Sequence, residues 1–363
     1  MKIIHVVGTR PNFIKIAPLI KEFSRHSQVK QLLVHTGQHY DKAMSSLFFD
    51  DLQIPKPDIN LGVGSCPDAR QTAAIMLSFE EVLLRENPDL VLVVGDVNST
   101  LAASLTAKKC KIKTAHAESG LRSFDMDMPE EINRILTDHV SDFLFTTEES
   151  ANKNLINEGI GKEKIFFVGN LMIDTLLSHK IKAQKSNILK RLGLKGNEYG
   201  VLTLHRPSNV DGKIQLTYIL GILQQVQQKM KIVFPIHPRT LKNLKESSLL
   251  GKIDNMNNVI ITEPLGYLDF LCLMCNSKIV LTDSGGIQEE TTVLGVPCIT
   301  LRDNTERPVT AEQGTNILVS TDKSKIIRAF NEVINGKNPK ARMPKFWDGK
   351  SAKRIVKVIL THL

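Results

Sequence analysis

The sequence predicts an α/β protein with two doubly wound, Rossmann-like parallel-sheet domains. Three observations favour this fold class. Short apolar runs alternate with helical segments along most of the chain, which is the pattern of βαβ units. The alternation loosens once, at about residues 170–195, where a polar helical stretch intervenes. A chain of 363 residues is also at the size where one hydrophobic core usually splits into two.

The first domain is predicted from an alternation that begins at the N-terminus. Apolar runs predict strands at 3–7, 31–35, 90–94, 113–117, 143–146 and 165–168. Helices are expected between them at 13–23, 41–47, 100–108 and 150–159. Because helices join successive strands, we expect the strands to run parallel in one sheet.

The second domain is predicted to follow a polar helix at 181–192. Strands are expected at 200–204, 231–236, 259–262, 278–282 and 298–301. Helices are expected at 214–229, 267–275 and 287–294. Ligands of such sheets bind outside the carboxyl ends of the strands, so we expect the site there, facing a cleft between the domains.

The composition is that of an ordinary globular protein, and its net charge of +9 is unevenly distributed. Residues 321–363 hold eleven Lys and Arg against three acidic residues, so residues 1–320 are nearly neutral. This basic segment is typical of a solvated helix face, although an anionic partner is an alternative. No RNA-module signature occurs, so we exclude nucleic acid. No apolar run approaches ~20 residues and the N-terminus enters a strand directly, so neither a membrane span nor a targeting peptide is expected.

The five cysteines are odd in number and scattered, which favours a reducing cytoplasm. Cys272 and Cys275 have the spacing of a zinc ligand pair. A second pair is missing and the segment has an apolar helix pattern, so we interpret both as core residues. No metal-ligand cluster and no GxGxxG dinucleotide fingerprint occur, so neither a metal nor a cofactor is expected.

Charged residues follow the strands of the first domain. Arg10 lies in a glycine turn after the first strand and Lys15 one turn into the next helix, which predicts a diphosphate clamp. The alternative is an ordinary turn with surface cations. Asp96 closes the strand at 90–94, either as a helix cap or as a catalytic carboxylate. Glu118 ends the strand at 113–117, and no capping role is evident for it. Glu130 follows Pro129, as the acidic first turn of a helix or as a second member of a carboxylate pair with Glu118.

The strand ends of the second domain carry a glycine turn and two histidines. Residues 284–286, Ser-Gly-Gly, open a helix whose backbone N–H groups and missing side chains suit a phosphate. Glu290 lies about one turn into that helix, where a carboxylate could bind the hydroxyls of a ribose. A capped strand–helix turn is the alternative. His205 and His237 each follow a strand, and His205 is either a general acid or phosphate donor or a structural histidine. Arg307 belongs to a charged loop after the strand at 298–301.

Nine segments in order resemble the non-hydrolysing UDP-N-acetylglucosamine 2-epimerase family: GTRPNFIKIAP, TGQHYD, GDVNST, HAESGLRSFDMDMPEEINR, LHRPSN, HPRT, EPLGYLDF, TDSGGIQEE and TERPVTAEQGTN. The resemblance covers roughly residues 1–320. It implies a GT-B type of fold whose last helix returns to the first domain. The domains are therefore expected at 1–170 with 350–363, and at 171–349. A homodimer without a cofactor is also implied.

The resemblance implies a reaction, the reversible epimerisation of UDP-N-acetylglucosamine to UDP-N-acetylmannosamine. UDP would be eliminated anti to give 2-acetamidoglucal and would then add again. The residues implied to be catalytic are Asp96, Glu118, Glu130 and His205, and the order in which the carboxylates act is left open. The residues expected to bind the substrate are Arg10, Lys15, His237, Ser284, Gly285, Gly286, Glu290 and Arg307.

Departures from the family pattern leave alternatives open. The family often has Glu-Ala where this chain has Asn12-Phe13. Many members bind a second UDP-N-acetylglucosamine as activator, and Gln38, Arg70 and His237 match that site, but Asp41 stands where Gln is common. Two segments also resemble the branch that acts on UDP-2,3-diacetamido-glucuronic acid. A hydrolysing 2-epimerase, a GT-B glycosyltransferase and a silent UDP-sugar sensor are the other readings.

Overall fold

The computed structural model describes residues 1–38, 51–339 and 341–363. The chain divides into two compact units, unit 1 with Met1–Ser178 and Lys345–Leu363, and unit 2 with His179–Pro344. The helix predicted at 41–47 lies outside the described residues. The expected domain bounds, 1–170 with 350–363 and 171–349, stay a prediction.

Unit 1 contains a seven-stranded parallel sheet with the order β3-β2-β1-β4-β5-β6-β7. Its strands are β1 (Lys2–Val7), β2 (Lys30–His35), β3 (Ile59–Asn60), β4 (Leu90–Val94), β5 (Lys113–Ser119), β6 (Phe143–Thr146) and β7 (Ile165–Phe167). The strand order reverses between β1 and β4, which makes this point the switch point where ligands of such sheets bind. The sequence predicted these strands to within two residues, except for the short β3.

Unit 2 contains a six-stranded parallel sheet with the order β10-β9-β8-β11-β12-β13. Its strands are β8 (Tyr199–Thr203), β9 (Lys231–Pro235), β10 (Val259–Thr262), β11 (Ile279–Thr282), β12 (Cys298–Thr300) and β13 (Asn316–Leu318). The switch point lies between β8 and β11. The predicted fold class, two doubly wound parallel-sheet domains, is therefore confirmed, and only β13 among these strands was not predicted.

The helices are α1 (Arg10–Phe23), α2 (Asp68–Glu86), α3 (Asn98–Lys109), α4 (Pro129–Val140), α5 (Glu149–Asn157), α6 (Leu171–Ala183), α7 (Ile188–Arg191), α8 (Pro207–Val210), α9 (Lys213–Val226), α10 (Pro238–Glu246), α11 (Leu250–Asp254), α12 (Tyr267–Cys275), α13 (Gly285–Leu294), α14 (Pro308–Glu312), α15 (Lys323–Ile334) and α16 (Ser351–His362). In the part of the chain that the structure describes, none of them is long and apolar enough to cross a bilayer.

The prediction of one helix at 181–192 is wrong, because two helices, α6 and α7, meet there. The Ser186 hydroxyl accepts a hydrogen bond from the backbone N–H of Ile188 at 3.1 Å and donates one to Asp269 at 2.5 Å. A serine side chain that bonds to the local backbone in this way competes with helix continuation. The chain therefore turns at Ser186 and starts a new helix.

The last residues of the chain belong to unit 1. Helix α16 packs against α1. Asp174 accepts hydrogen bonds from the first N–H groups of α16, at Ser351 (3.0 Å) and Ala352 (2.8 Å). Burial raises the pKa of Asp174, although these two N–H groups act in the opposite direction. The buried Trp347 indole donates to the Thr147 carbonyl at 3.0 Å, so this segment is anchored before the helix as well.

Candidate active site

Asn12 ties together the turns that follow β1 and β4, on either side of the switch point of unit 1. Its side-chain oxygen accepts hydrogen bonds from the N–H groups of Gly8 (3.1 Å) and Thr9 (2.9 Å). Its amide nitrogen donates to the carbonyl of Val94 at 2.8 Å. The departure from the family pattern at this position is therefore a buried link between two strand ends, and Arg10 beside it is partly exposed.

Gly8 and Gln38 both meet Ser99 at the start of α3. A Cβ atom on Gly8 would lie 2.0 Å from the Ser99 hydroxyl, so this glycine is required by packing inside the protein. The side-chain oxygen of Gln38 accepts from the same hydroxyl at 2.6 Å. Gln38 is thus buried, whereas Arg70, the other residue matched to an activator site, is exposed on α2. Asp41 lies outside the described residues.

Lys15 and Glu118 form a buried ion pair, with about 8% of each side chain exposed. Gly95 makes room for the pair, since a Cβ atom there would lie 2.9 Å from the Lys15 ammonium nitrogen. The alternative that Lys15 is a surface cation is therefore wrong. The pair lines a small cavity together with residues such as Asn170 and Ile355 of α16.

The backbone at Glu118 is left-handed, with φ of 74°. The register between β5 and β6 shifts between Ala117 and Ser119, so Glu118 occupies a bulge at the end of the strand. A residue other than glycine in this backbone conformation costs on the order of 1 kcal/mol or more. Such strain clusters at functional sites, where a bulge re-aims one side chain. This supports the interpretation of Glu118 as a functional carboxylate.

Asp96 is bound by α4. Its carboxylate accepts two hydrogen bonds from the Arg134 guanidinium, at 3.0 and 2.7 Å, and about a quarter of the side chain is exposed. Its backbone carbonyl accepts from the Asn133 side chain at 3.0 Å. Helix α3 begins at Asn98 with Val97 as its N-cap, and that N-cap side chain makes no capping bond. Arg134 therefore orients Asp96 from a neighbouring helix.

Glu130 and Glu131 are adjacent in the first turn of α4 but have different surroundings. Glu131 is buried and accepts hydrogen bonds from the backbone of Ser123 (3.0 Å) and Phe124 (2.8 Å) and from Arg134 (2.6 Å). Glu130 is partly exposed. Glu131 therefore fixes the preceding loop, and Glu130 is the member of the pair that a ligand can reach.

His116 and Asp138 form a fully buried pair behind these carboxylates, with 2.7 Å between Nδ1 and Oδ1. The other nitrogen of His116 donates to the carbonyl of Gly95 at 2.9 Å. Asp138 also accepts from the N–H of Gly120 (3.0 Å) and from Arg122 (2.8 Å). Burial acts to raise the pKa of Asp138, but His116, Arg122 and the Gly120 N–H together hold it below its usual value.

In unit 2, His205 is oriented by Asp283, which lies directly after β11. The distance between His205 Nδ1 and the Asp283 carboxylate is 2.8 Å, and the imidazole is 43% exposed while Asp283 is fully buried. Asp283 also accepts from the N–H groups of His205 (3.0 Å) and Arg206 (2.9 Å) and from Asn209 (3.1 Å). Burial acts to raise the pKa of Asp283, but these donors keep it below its usual value. One ring nitrogen of His205 is thus fixed, and the ring can still meet a ligand.

His237 lies close to His205 in unit 2, with 5.8 Å between the ring centroids. Its Nδ1 atom accepts a hydrogen bond from the N–H of Arg239 at 3.2 Å, which caps α10. The sequence did not reveal this capping role. The two histidines therefore lie side by side at the ends of the neighbouring strands β8 and β9.

The Ser-Gly-Gly turn is the N-terminus of α13, with Ser284 as N-cap and Gly285 and Gly286 in the first turn. A Cβ atom on Gly285 would lie 2.5 Å from the Glu306 carboxylate and 2.8 Å from the Arg307 guanidinium. This glycine is therefore required by neighbouring charged side chains. The helix N-terminus itself still offers N–H groups to an anion.

Arg307 is buried between two carboxylates, Glu289 (2.7 Å) and Glu306 (2.6 Å). Glu306 also binds Arg302 at 2.7 Å, and burial lowers the pKa of Arg302. The Arg307 charge is balanced by these carboxylates inside unit 2. The expectation that Arg307 binds substrate stays a prediction. Arg307 thus supports the turn at Gly285.

Glu290 is buried in α13 and accepts a hydrogen bond from the Tyr267 hydroxyl at 3.1 Å. Burial, together with the Glu290 charge, raises the pKa of Tyr267 well above its usual value. The tyrosine therefore stays a donor and holds the carboxylate in one orientation. This arrangement is compatible with the expected role of Glu290 in binding a ribose.

The sequence interpretation missed the residues that orient the others: Asn133, Arg134, Asp138, Tyr267 and Asp283. On α4 a signal existed, because positions 131, 134 and 138 are spaced by three and four residues and carry charges on one helix face. Asp283 stands directly between the strand predicted at 278–282 and the glycine turn, which is also a position where a functional carboxylate is expected. Within the described parts of the chain, no group of three His, Cys, Asp or Glu side chains could hold a metal ion.

Two doubly wound sheets, with titratable side chains after the strands at both switch points, define an α/β enzyme of the GT-B type. The family model described as UDP-N-acetylglucosamine 2-epimerase matches residues 21–360. The chain belongs to this family. The UDP-N-acetylglucosamine 2-epimerase of Methanocaldococcus jannaschii is 47% identical over 99% of both chains.

Two further comparisons agree with this assignment. A crystal structure of the Methanocaldococcus jannaschii UDP-GlcNAc 2-epimerase in complex with UDP-GlcNAc and UDP superposes with a TM-score of 0.94. The two chains are 45% identical, and the comparison covers 99% of this chain and all of the other. A UDP-2,3-diacetamido-2,3-dideoxy-D-glucuronate 2-epimerase of Pseudomonas aeruginosa is 39% identical over 99% of both chains. The family suggested by the nine sequence segments is confirmed.

Proposed function

We propose that this protein is an isomerase, a non-hydrolysing UDP-N-acetylglucosamine 2-epimerase that interconverts UDP-N-acetylglucosamine and UDP-N-acetylmannosamine. The observation that carries the proposal is the match along 99% of both chains to an enzyme of that name. The positions expected to be catalytic are filled by Asp96, Glu118, Glu130 and His205. Their surroundings support a division of labour between the two units.

Unit 1 supplies the proton transfers at C2 of the sugar. A carboxylate takes the C2 proton while the bond from C1 to the UDP oxygen breaks, which leaves 2-acetamidoglucal and UDP. UDP then adds back at C1, and a second acid delivers a proton to the opposite face of C2. The three carboxylates differ in their surroundings: Glu118 pairs with Lys15, Asp96 with Arg134, and Glu130 is partly exposed. Such differences allow acid and base roles to be separated.

Unit 2 supplies the groups that stabilise the departing UDP. The N-terminus of α13 directs N–H groups and partial positive charge toward an anion. His205, oriented by Asp283, donates to the leaving diphosphate, and Glu290 binds the ribose. Groups that are already oriented before the reaction stabilise developing charge without reorganisation.

Proton NMR with UDP-N-acetylglucosamine in D2O tests the proposal. UDP-N-acetylmannosamine with deuterium at C2, followed by labelling of both epimers, is the expected result. Free N-acetylmannosamine and UDP would instead identify a hydrolysing 2-epimerase. An unchanged spectrum would contradict the proposed substrate.

A second candidate substrate is UDP-2,3-diacetamido-2,3-dideoxy-D-glucuronate, supported by the 39% identity to an enzyme named for it. The two substrates differ at C3 and C6, so kcat/KM for each distinguishes them directly. We expect the ratio to favour UDP-N-acetylglucosamine. A ratio that favours the uronate would transfer the chain to that branch of the family.

The proposal includes a homodimer in the cytoplasm. Leucines on α2 support a dimer, because Leu77 and Leu84 are 69% and 74% exposed. All five cysteines are free thiols, which agrees with a reducing compartment. Light scattering of the purified protein tests the dimer, and replacing both leucines with lysine should shift the mass toward a monomer.

A further inference from the structure

The buried pair of His116 and Asp138 in unit 1 is not used by the mechanism above. Both side chains are completely buried, so neither can touch a substrate. Asp138 connects onward to Arg122, which binds Glu158 through two hydrogen bonds of 2.7 Å. Buried charges carry a large desolvation cost and are weak evidence for stability by themselves. We therefore consider which backbone groups the two side chains bind.

Each member of the pair holds the backbone of a different turn. His116 Nε2 donates to the carbonyl of Gly95, the residue directly before Asp96. Asp138 accepts from the N–H of Gly120, two residues after Glu118. One buried hydrogen-bonded unit thus spans the two turns that carry Asp96 and Glu118.

Gly95 and Gly120 must remain glycine, so no side chain at these two positions can fix its turn. Gly95 and Gly120 have φ of +72° and +78°, which disfavours other residues. A Cβ atom on Gly120 would also lie 2.5 Å from the carbonyl oxygen of Ala151. Hydrogen bonds to the backbone are therefore the means by which these turns can be positioned, and the pair supplies one to each turn.

Both ring nitrogens of His116 face acceptors, a carboxylate and a carbonyl oxygen. The ring is therefore held from both sides, by Asp138 at Nδ1 and by the Gly95 carbonyl at Nε2. The pair can therefore resist a change in the separation of the two turns, because a shift of either turn breaks a buried hydrogen bond.

We propose that His116 and Asp138 are positioning residues that set the separation between the Asp96 and Glu118 turns. This inference rests on the proposed function, in which carboxylates act at opposite faces of the sugar C2. A displacement of about 1 Å in such a site can reduce turnover about a hundredfold. Substrate affinity should change little, because the pair belongs to unit 1 and UDP is proposed to be held by groups of unit 2.

The test compares Asp138→Ala and Asp138→Asn with a matched control, Asp142→Ala. Asp142 anchors the other end of β5 in the same way, since it accepts from the Thr114 N–H at 3.0 Å and from Lys108 at 2.6 Å. For each variant, kcat and KM for UDP-N-acetylglucosamine, UDP affinity by calorimetry and thermal unfolding are measured. Asp138→Ala should reduce kcat about a hundredfold with KM and UDP affinity within about threefold.

The asparagine variant should recover most of the lost turnover, to within about tenfold of the wild type, because its amide can still accept from Gly120 and donate to His116. Asp142→Ala should keep the wild-type kcat. The inference is overturned if Asp138→Ala keeps the wild-type kcat, or if Asp142→Ala loses as much kcat at equal stability. A wild-type protein that epimerises neither nucleotide sugar would instead overturn the proposed function, and this inference with it.

Discussion

The polar strand ends of unit 1 and unit 2 are built in opposite ways. In unit 1, the carboxylates after β4 and β5 are held mainly by other charged side chains, Lys15 and Arg134. In unit 2, the buried Asp283 accepts from backbone N–H groups and His205, and the neighbouring turn is an open helix N-terminus. The first arrangement fixes acids and bases, and the second offers donors to an anion.

This difference indicates which part of the reaction each unit can carry. Proton transfer requires a carboxylate within hydrogen-bond reach of one carbon-bound proton, so its position must be accurate. Binding a diphosphate requires several donors and a favourable field, which a helix N-terminus and a histidine supply. The comparison leads to four predictions, in order of decreasing effect.

Glu118→Gln should have the largest effect, a loss of turnover of about a thousandfold, because an amide can neither take the C2 proton nor return it. UDP affinity should remain close to that of the wild type, since the nucleotide is assigned to unit 2. The NMR assay and calorimetry measure the two quantities. Glu81→Gln, at an exposed position on α2, is the control and should be fully active. Near-wild-type turnover of the Glu118→Gln variant would remove Glu118 from the mechanism.

Asp283→Asn should reduce kcat about a hundredfold, because it removes the carboxylate that balances a His205 ring donating both to residue 283 and to the leaving diphosphate. Exchange of the C2 proton with solvent should fall in parallel with turnover, because the proposed elimination takes that proton while the bond to UDP breaks. Asp211→Asn, an exposed acid of unit 2 that pairs with Arg239, is the matched control. Equal activity of the two variants would show that the pairing of His205 with Asp283 is only structural.

Replacing a turn glycine with alanine should cost more stability in unit 1, at Gly120, than in unit 2, at Gly285. Gly120→Ala should destabilise by about 2 kcal/mol or more, because φ is positive and the new atom meets a backbone oxygen. Gly285→Ala meets the ends of two side chains and no backbone atom, so it should destabilise less, by about 1 kcal/mol. Gly251→Ala, which meets nothing, is the control. Chemical denaturation measures all three, and the reverse order for the first two would contradict this steric argument.

Acid should weaken both units, which is the smallest effect expected. The folded pKa values of Asp138 and Asp283 lie below those of the unfolded chain. Their contribution to the free energy of unfolding is therefore present above the unfolded pKa of about 3.9 and lost as pH falls through the folded pKa. Asp138→Asn and Asp283→Asn should each reduce the stability difference between neutral and acid pH. Asp174→Asn should enlarge it, because the folded pKa of Asp174 is raised. If all three variants kept the acid sensitivity of the wild type, the pKa directions given for Asp138, Asp283 and Asp174 would be refuted.

Much of the fold and part of the site followed from local sequence patterns. Apolar runs and the turns after them are local, so strand ends and the residues placed there, such as Asp96, Glu118 and His205, could be predicted. Helix α2 was missed because its apolar residues, including Ile75 and Phe79, are diluted by polar ones. The partners of the site residues were missed because they are distant in sequence: Arg134 lies 38 positions from Asp96. Such long-range pairs depend on how helices pack, which residue spacing does not reveal.

The return of the C-terminal segment to unit 1 has a consequence for synthesis on the ribosome. Unit 2 is continuous in sequence, whereas unit 1 is completed only by Lys345–Leu363. Until that segment emerges, α1 lacks its neighbour α16, and Ile355 is missing from the cavity beside Lys15 and Glu118. All of unit 2 is therefore synthesised before α16 can complete the surroundings of Glu118.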